Sequence, residues 1–427
     1  MLYSLFEWLT QHGIHFPGDR LLHFITFRVL IAVLLSLVIT MVYGKRLINI
    51  LKNRLVGETV RDLGLAGEQQ KKGTPTMGGV IIILAILVPT LLLADLHKAY
   101  VRLMIFATLW LGMIGFIDDY LKLRAKRLAQ EQGIAYKKGD KDGLAGWFKI
   151  LGQLVLGITV AAVMLFNENT KVWREYRGEG IPQDTTGVRV VKFDGKEKIF
   201  VIAQEPVTTI PFVKTHEFNY SKLLPQSWRQ GLTSLLYGVI VILIVVAVSN
   251  GANITDGLDG LATGTSAIIG ACLGVFAYAS GNFRFAEYLN ILYVPNLAEL
   301  TIYIAAFIGA TIGFLWYNSY PAQVFMGDTG SLTLGGVIAA LAIIVRKELL
   351  IPIFCGVFLV ENLSVMIQVS YFKYTKRKYG EGRRVFLMSP LHHHYQKLGY
   401  HESKIAVRFW IVTILCVVFS VVSLKIR

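Results

Sequence analysis

The sequence predicts an all-α polytopic membrane protein of about ten transmembrane helices, with a small β-hairpin in an extracytoplasmic loop. Three observations lead there. Of 427 residues, 54% are hydrophobic and only 17% are charged, where a soluble domain carries about a quarter charged residues. Apolar runs close to the ~20 residues that cross a bilayer recur along the chain. They fall at 21–43, 77–94, 101–117, 147–166, 232–249, 262–280, 299–317, 330–345, 350–371 and 405–424. Lysine and arginine gather in the intervals on one side of that series. Helices are the expected form, because lipid cannot satisfy an open backbone and no strand-length alternation suggests a barrel.

The net charge is +15, which by itself invites a nucleic-acid partner. Its placement argues for a membrane instead. Segments 44–76, 118–146 and 373–404 hold the dense basic clusters, and all three lie on one side of a ten-span chain. The short loops opposite, 95–100 and 346–349, carry one and two basic residues. That asymmetry is the positive-inside pattern and puts both termini outside the cytoplasm. No nucleic acid is expected as a partner; membrane lipids are. The first apolar run is too long for the apolar stretch of a signal peptide, so no cleavage is expected. Cys272, Cys355 and Cys416 sit inside apolar runs and read as small apolar residues rather than redox or metal groups.

Residues 1–427 read as one membrane-embedded domain, with 167–231 as an extracytoplasmic loop insertion. Long loops escape the positive-inside rule, so the basic residues in it do not overturn the orientation. Within it, Val188–Ile202 reads as two β-rich runs around Asp194-Gly195, a good two-residue hairpin turn. One hairpin is marginal alone, so it is expected to lean on the helices or the membrane surface.

Ionisable and amide side chains at the ends of apolar helices are costly and therefore mark function. Four clusters qualify, all on the basic side. Asp118-Asp119-Tyr120-Leu121-Lys122 follows the third run directly. Adjacent carboxylates repel unless a cation offsets them, and Asp118 and Lys122 share a face if the helix continues; a solvated helix end with an internal ion pair explains them equally. After the fifth run come Asn250, Asn253, Asp256 and Asp259, a spacing of three that drifts around an α-helix but aligns in a 3₁₀ turn. Gly251, Gly257 and Gly260 there permit a tight backbone and close ligand approach. A capped turn needs one such polar residue, not four.

The third cluster runs from Tyr317 through Asn318 and Phe325 to Asp328 and Ser331. Asp328 suits either a cap on the eighth span or a Mg²⁺ ligand, since Mg²⁺ takes one or two carboxylates and leaves other positions to waters and phosphates. The fourth is Ser389-Pro390-Leu391-His392-His393-His394-Tyr395. Three successive histidines cannot easily offer three ligands to one zinc, so phosphate binding or acid–base work fits them better than a metal. Segment 71–79, with Lys71, Lys72 and Thr76, adds lysines and backbone donors, although small residues there also suit close helix packing. No Walker A or dinucleotide pattern occurs. Together the clusters describe a cationic, carboxylate-rich cavity suited to phosphoryl transfer, with one substrate arriving from the bilayer. A transporter would instead place charge at mid-membrane on broken helices.

Five segments carry a family resemblance: GTPTMGG at 73–79, DDYLK at 118–122, NITDGLDGL at 253–261, FMGDTGSL at 325–332 and PLHHHY at 390–395. In this order they resemble the polyprenyl-phosphate N-acetylhexosamine-1-phosphate transferases, over nearly the whole chain except 167–231. The triple histidine points to the branch that uses UDP-MurNAc-pentapeptide rather than UDP-GlcNAc. The resemblance implies transfer of phospho-MurNAc-pentapeptide to undecaprenyl phosphate, giving lipid I and UMP in peptidoglycan synthesis. It also implies Mg²⁺ dependence, ten spans, the bacterial inner membrane and a homodimer. Carried over by position, Asp328 is a Mg²⁺ ligand and catalytic. Asp118 and Asp119 are catalytic or orient the lipid phosphate, with Asp118 the candidate base. Lys71 or Lys72, Thr76 and Lys122 stand near phosphates. Asn250, Asn253, Asp256, Asp259, Asn318 and Phe325 surround the uridine and diphosphate, Phe325 stacking on the base. His392, His393 and His394 line the site, His392 with a catalytic part. Single-step attack by the lipid phosphate is the expected route; a covalent aspartyl-phosphate stays open.

Overall fold

A computed structural model describes residues 2–13, 19–54, 71, 73–132, 143–175, 188–193, 196–202, 206–213, 217–289 and 291–425. The first helices are α1 (Leu2–Gln11), α2 (Asp19–His23), α3 (Ile25–Val38), α4 (Gly44–Arg54), α5 (Gly79–Leu93), α6 (Ala99–Glu131) and α7 (Gly146–Phe166). After the insertion come α8 (Arg229–Thr255), α9 (Leu261–Gly281), α10 (Phe283–Leu289), α11 (Leu300–Asn318) and α12 (Gly327–Ile344). The chain closes with α13 (Ile351–Phe354), α14 (Gly356–Tyr379), α15 (Leu391–Lys397) and α16 (Glu402–Ser423).

Each of the ten predicted runs contains a helix. Among the described residues, eight helical stretches are long and apolar enough to cross a membrane, and a ninth follows if Glu348–Phe354 and α14, bent by 78°, form one broken span. The run at 77–94 differs from expectation. Its helix α5 has 15 residues, about 22 Å at 1.5 Å per residue, against a hydrocarbon core of ~30 Å. The start of that run is drawn into another contact, with Gly78 N donating to Phe325 O and Gly79 N to Met326 O, both at 2.9 Å. The third run departs the other way, since α6 continues without a break to Glu131. Asp118 and Asp119 therefore lie within a helix, not after one.

α12 is the centre of the bundle. It packs on α6 and α8, and every residue from Thr329 to Ile344 is buried. Outer helices carry apolar stripes toward the surroundings, such as Ile411, Leu415, Val418 and Val422 on α16. Their spacing of three and four residues is that of one helix face, and it is the face lipid covers.

In the insertion, β1 (Trp173–Glu175), β2 (Val188–Phe193) and β3 (Lys196–Ile202) form an antiparallel sheet in the order β1-β3-β2. The expected hairpin is present, with Phe193 opposite Lys196; Asp194 and Gly195 themselves lie outside the described residues. The third strand was not anticipated. Phe200 of β3 meets Phe283 and Tyr293 edge-on at 5.3 and 6.3 Å, so the sheet leans on the helical body. A second pair, β4 (Val207–Thr209) with β5 (Glu217–Asn219), docks on the far end of α12. Thr209 N donates to Arg346 O at 3.1 Å, Lys347 Nζ to Thr209 Oγ1 at 2.7 Å and Tyr220 Oη to Glu348 Oε1 at 2.8 Å. Arg346, Lys347 and Glu348 are all buried by this contact.

Burial pushes the Lys347 ammonium down to about 7 from 10.5, against the opposing pull of Glu348. Between those values the folded chain binds fewer protons than the unfolded one, so stability rises with pH. Thermal melts in detergent are expected to show a Tm that climbs from pH 7 toward pH 10, with Lys347→Met flattening the climb; equal slopes in both proteins would refute it.

Candidate active site

The site is framed by the first turn of α12. Gly327 opens it at φ +71°, and a Cβ there would stand 2.6 Å from Asp119 Oδ2. The first amides of any helix lack partners within it. Here a carboxylate from another helix supplies them. Asp119 Oδ1 accepts from Asp328 N at 3.1 Å, while Oδ2 accepts from Thr329 N at 2.8 Å and Thr329 Oγ1 at 2.6 Å. A negative group at this helix end also opposes the positive end of the helix dipole. Gly115 of α6 makes the approach possible, because a Cβ on it would lie 2.4 Å from Asp328 O.

With the cap supplied by Asp119, the Asp328 carboxylate is free to turn outward. Its Oδ2 accepts from Lys122 Nζ at 2.7 Å and Lys149 Nζ at 2.5 Å, and its Oδ1 from Asn253 Nδ2 at 2.8 Å. The same ammonium groups reach Asp118 Oδ2, Lys122 at 2.6 Å and Lys149 at 2.8 Å. Asp118 Oδ1 accepts from Leu144 N at 2.7 Å, tying the start of α7 to α6. Ligand atoms of Asp118, Asp119 and Asp328 lie within 4.8 Å of one another. Two ammonium groups facing three carboxylates leave an excess negative charge. This all-oxygen set suits a hard divalent cation, and the acidic cluster is able to hold a metal.

A second group lies at the end of α8. Lys71 Nζ pairs with Asp259 Oδ1 at 2.8 Å and Glu402 Oε1 at 2.5 Å, and Glu402 also accepts the Asp259 amide at 2.6 Å. Burial lowers the Lys71 ammonium, but Glu402 and Asp259 outweigh it and hold it above its ordinary value. Asp259 Oδ2 accepts from Ala322 N at 2.9 Å. Asn318 spends its amide on the frame, accepting from Gly260 N and Thr263 Oγ1 and donating to Val324 O. Phe325 is half-buried, its N bonded to Pro75 O at 2.8 Å. Thr76 Oγ1 would be 3.0 Å from a Cβ on Gly327, beside Asp119.

The expected 3₁₀ alignment of Asn250, Asn253, Asp256 and Asp259 does not occur. α8 stays α-helical through Thr255, so the polar groups fan out around it. Asn250 turns to Gln153 at 3.0 Å on α7, Asn253 to Asp328, and Asp256 ends the helix half-buried. Lys72 lies outside the described residues. Of the histidines, His392 is buried against Glu361, His393 Nδ1 lies 2.7 Å from Gln396 Oε1, and His394 accepts from Leu387 N at 3.2 Å. Burial, then His392 and Lys71, push the His393 imidazole down to about 4.

Residues 190–346 match the model for glycosyl transferase family 4, and 71–83 match signature 1 of phospho-N-acetylmuramoyl-pentapeptide-transferases. The phospho-N-acetylmuramoyl-pentapeptide-transferase of Flavobacterium psychrophilum is 53% identical over the whole of both chains. Those of Parabacteroides distasonis and Amoebophilus asiaticus are each 51% identical, again over the whole of both. This chain belongs to the phospho-N-acetylmuramoyl-pentapeptide-transferase family. It is a multi-span membrane member of it, and the stretch matching the family signature holds Lys71, Thr76 and the Gly78–Gly79 contact to the 325–326 backbone.

Three residues at the site escaped the sequence reading: Lys149, Glu361 and Glu402. Lys149 had a signal, being a lone cation inside the apolar run 147–166. Glu361 had the same signal within 350–371. Glu402 acquires its part only from partners remote in sequence. The cap carries a direct expectation. Asp119→Ala is expected to lower unfolding stability by about 2 kcal/mol, the upper range for a lost helix cap, and Asp119→Asn by less. A Tm for Asp119→Ala equal to wild type would rule the cap out.

Proposed function

We propose that this chain transfers phospho-MurNAc-pentapeptide from UDP-MurNAc-pentapeptide to undecaprenyl phosphate, giving lipid I and UMP. The observation that carries this is the meeting of Asp118, Asp119 and Asp328 with Lys122 and Lys149 at one end of an apolar bundle. Membership in the family supports the donor and acceptor named here. An oxygen of the lipid phosphate attacks the sugar-bearing phosphorus of the donor. The bond from that phosphorus to the bridging oxygen breaks, and UMP departs with the electron pair. One diphosphate is lost and one is formed, so the task is to bring two anions together.

The residues divide that task. Lys122 and Lys149 offset phosphate charge at the point of attack. Asp118, held by both lysines, is the group to take a proton from the lipid phosphate. Both Asp119 oxygens are occupied by α12, which favours a framing part for it and a single-step transfer over capture of phosphate on Asp119. Asp328 would hold Mg²⁺. When bound, Mg²⁺ supplies positive charge to the diphosphate oxygens. The Asp256–Asp259 turn, Lys71 and Phe325 form the surface for the uridine diphosphate. The basic clusters beside these residues support a cytoplasmic site in the bacterial inner membrane, with both termini outside. A homodimer belongs to the same reading.

UMP release is the test. It is expected with UDP-MurNAc-pentapeptide, undecaprenyl phosphate and Mg²⁺, and not with UDP-GlcNAc; no release with either donor would defeat the reading. Asp328→Asn is expected to abolish turnover with Tm preserved, because the lost charge is what holds the cation. Lys149→Met is expected to lower kcat roughly 100-fold, the scale for removing one preorganised electrostatic contact; full activity would remove Lys149 from the site.

A further inference from the structure

Glu361 is fully buried on α14 and has no part in the transfer as described above. Its carboxylate grips His392 at two points. Oε1 accepts the His392 backbone N–H at 3.2 Å, and Oε2 lies 3.1 Å from Nδ1. When that carboxylate is ionised it only accepts, so Nδ1 is then the donor and the ring has one orientation. Nε2 is then the working end of the ring. It is buried and meets no hydrogen-bond partner among the described residues. It is aimed at the turn after α8, where a Cβ on Gly257 would stand 2.2 Å from it. Buried polar atoms in native proteins are nearly always paired, and an orphan calls for a missing partner.

We propose that Glu361 is a positioning residue that holds His392 with Nε2 directed at an oxygen of the nucleotide-sugar donor. The inference rests on the transfer reading and adds to it the residue that orients the histidine. Glu361 sits in a dry interior, its carboxylate held by the ring and the backbone of His392. The other charged or titratable groups near the ring are few. His393 lies edge-on at 4.3 Å, Asp256 and Asp259 flank Gly257 in the turn, and Lys71 and Glu402 bind Asp259. A sugar hydroxyl or diphosphate oxygen reaching that turn supplies the partner that Nε2 lacks. Gly257, without a side chain, lets the ring lie directly against the turn.

The test is a double-mutant cycle on the full chain, with UDP-MurNAc-pentapeptide and undecaprenyl phosphate each varied. Glu361→Gln is expected to cost roughly 10–100-fold in kcat/KM for the nucleotide sugar, the scale seen for residues that orient a ligand-bearing histidine, and to leave KM for the lipid phosphate unchanged. Glu361→Asp, which keeps the carboxylate, recovers part of the loss. Glu361→Gln combined with His392→Asn is expected to be no worse than His392→Asn alone, because both remove one device. Gly257→Ala reproduces the donor defect without touching Glu361. Losses that multiply in the double variant, or that fall equally on both substrates, overturn the proposal, as does activity that simply follows Tm in both Glu361 variants. A wild-type chain inactive with this donor overturns the transfer reading as well, and that control separates the two failures.

Discussion

Much of this molecule depends on one carboxylate meeting one helix end. Asp119 leaves α6 and accepts both the first amides of α12 and the Thr329 hydroxyl. Nothing else about the acidic cluster works without that contact. It fixes the height of α12 against α6, and it frees Asp328 from capping its own helix. It also explains why two adjacent aspartates are tolerated at a buried position. Successive residues on a helix point about a hundred degrees apart, so Asp119 faces the helix dipole while Asp118 faces two ammonium groups.

α12 is held at both ends by chemistry of opposite kinds. At Gly327 it meets a partly exposed cluster of charges, with Lys122 about a third exposed and Lys149 a fifth exposed. Beyond Ile344 it runs into Arg346, Lys347 and Glu348, which the β4–β5 pair and Tyr220 seal from solvent. The insertion therefore acts on the same helix that presents Asp328. A helix so buried along its length cannot slide without unpacking α6 and α8. Preorganisation of this kind is what electrostatic catalysis requires, because groups that must reorient cost part of the stabilisation they provide.

The two polar groups near the site share an economy of lysines. Lys71 joins Asp259 and Glu402, while Lys122 and Lys149 join Asp118 and Asp328. In each case cations hold carboxylates together where phosphates are proposed to bind. Phosphate oxygens and carboxylates compete for the same ammonium protons, so substrate entry exchanges partners rather than filling an empty charge. Asn250 and Asn318 stand apart from this exchange. Their amides are taken by Gln153 and by the Gly260–Val324 frame, so Asn250 ties α8 to α7 and Asn318 braces the turn.

The sequence alone determined the membrane-spanning helical class and the acidic and histidine motifs themselves. Those are one-dimensional signals: hydropathy, charge placement and residue type at fixed spacing. Even the hairpin at Val188–Ile202 was legible, since strand propensity and turn chemistry are local. Tertiary structure decided which side chain does what. The run from Asn250 to Thr255 remained helical because α7 and α12 offered partners on different sides of α8, Gln153 to Asn250 and Asp328 to Asn253. Asp119 became a cap, Lys149 entered the site and Glu361 found His392, all through contacts between residues far apart in the chain. A carboxylate's part is set by the donors that surround it, and those come from packing, which no local pattern encodes.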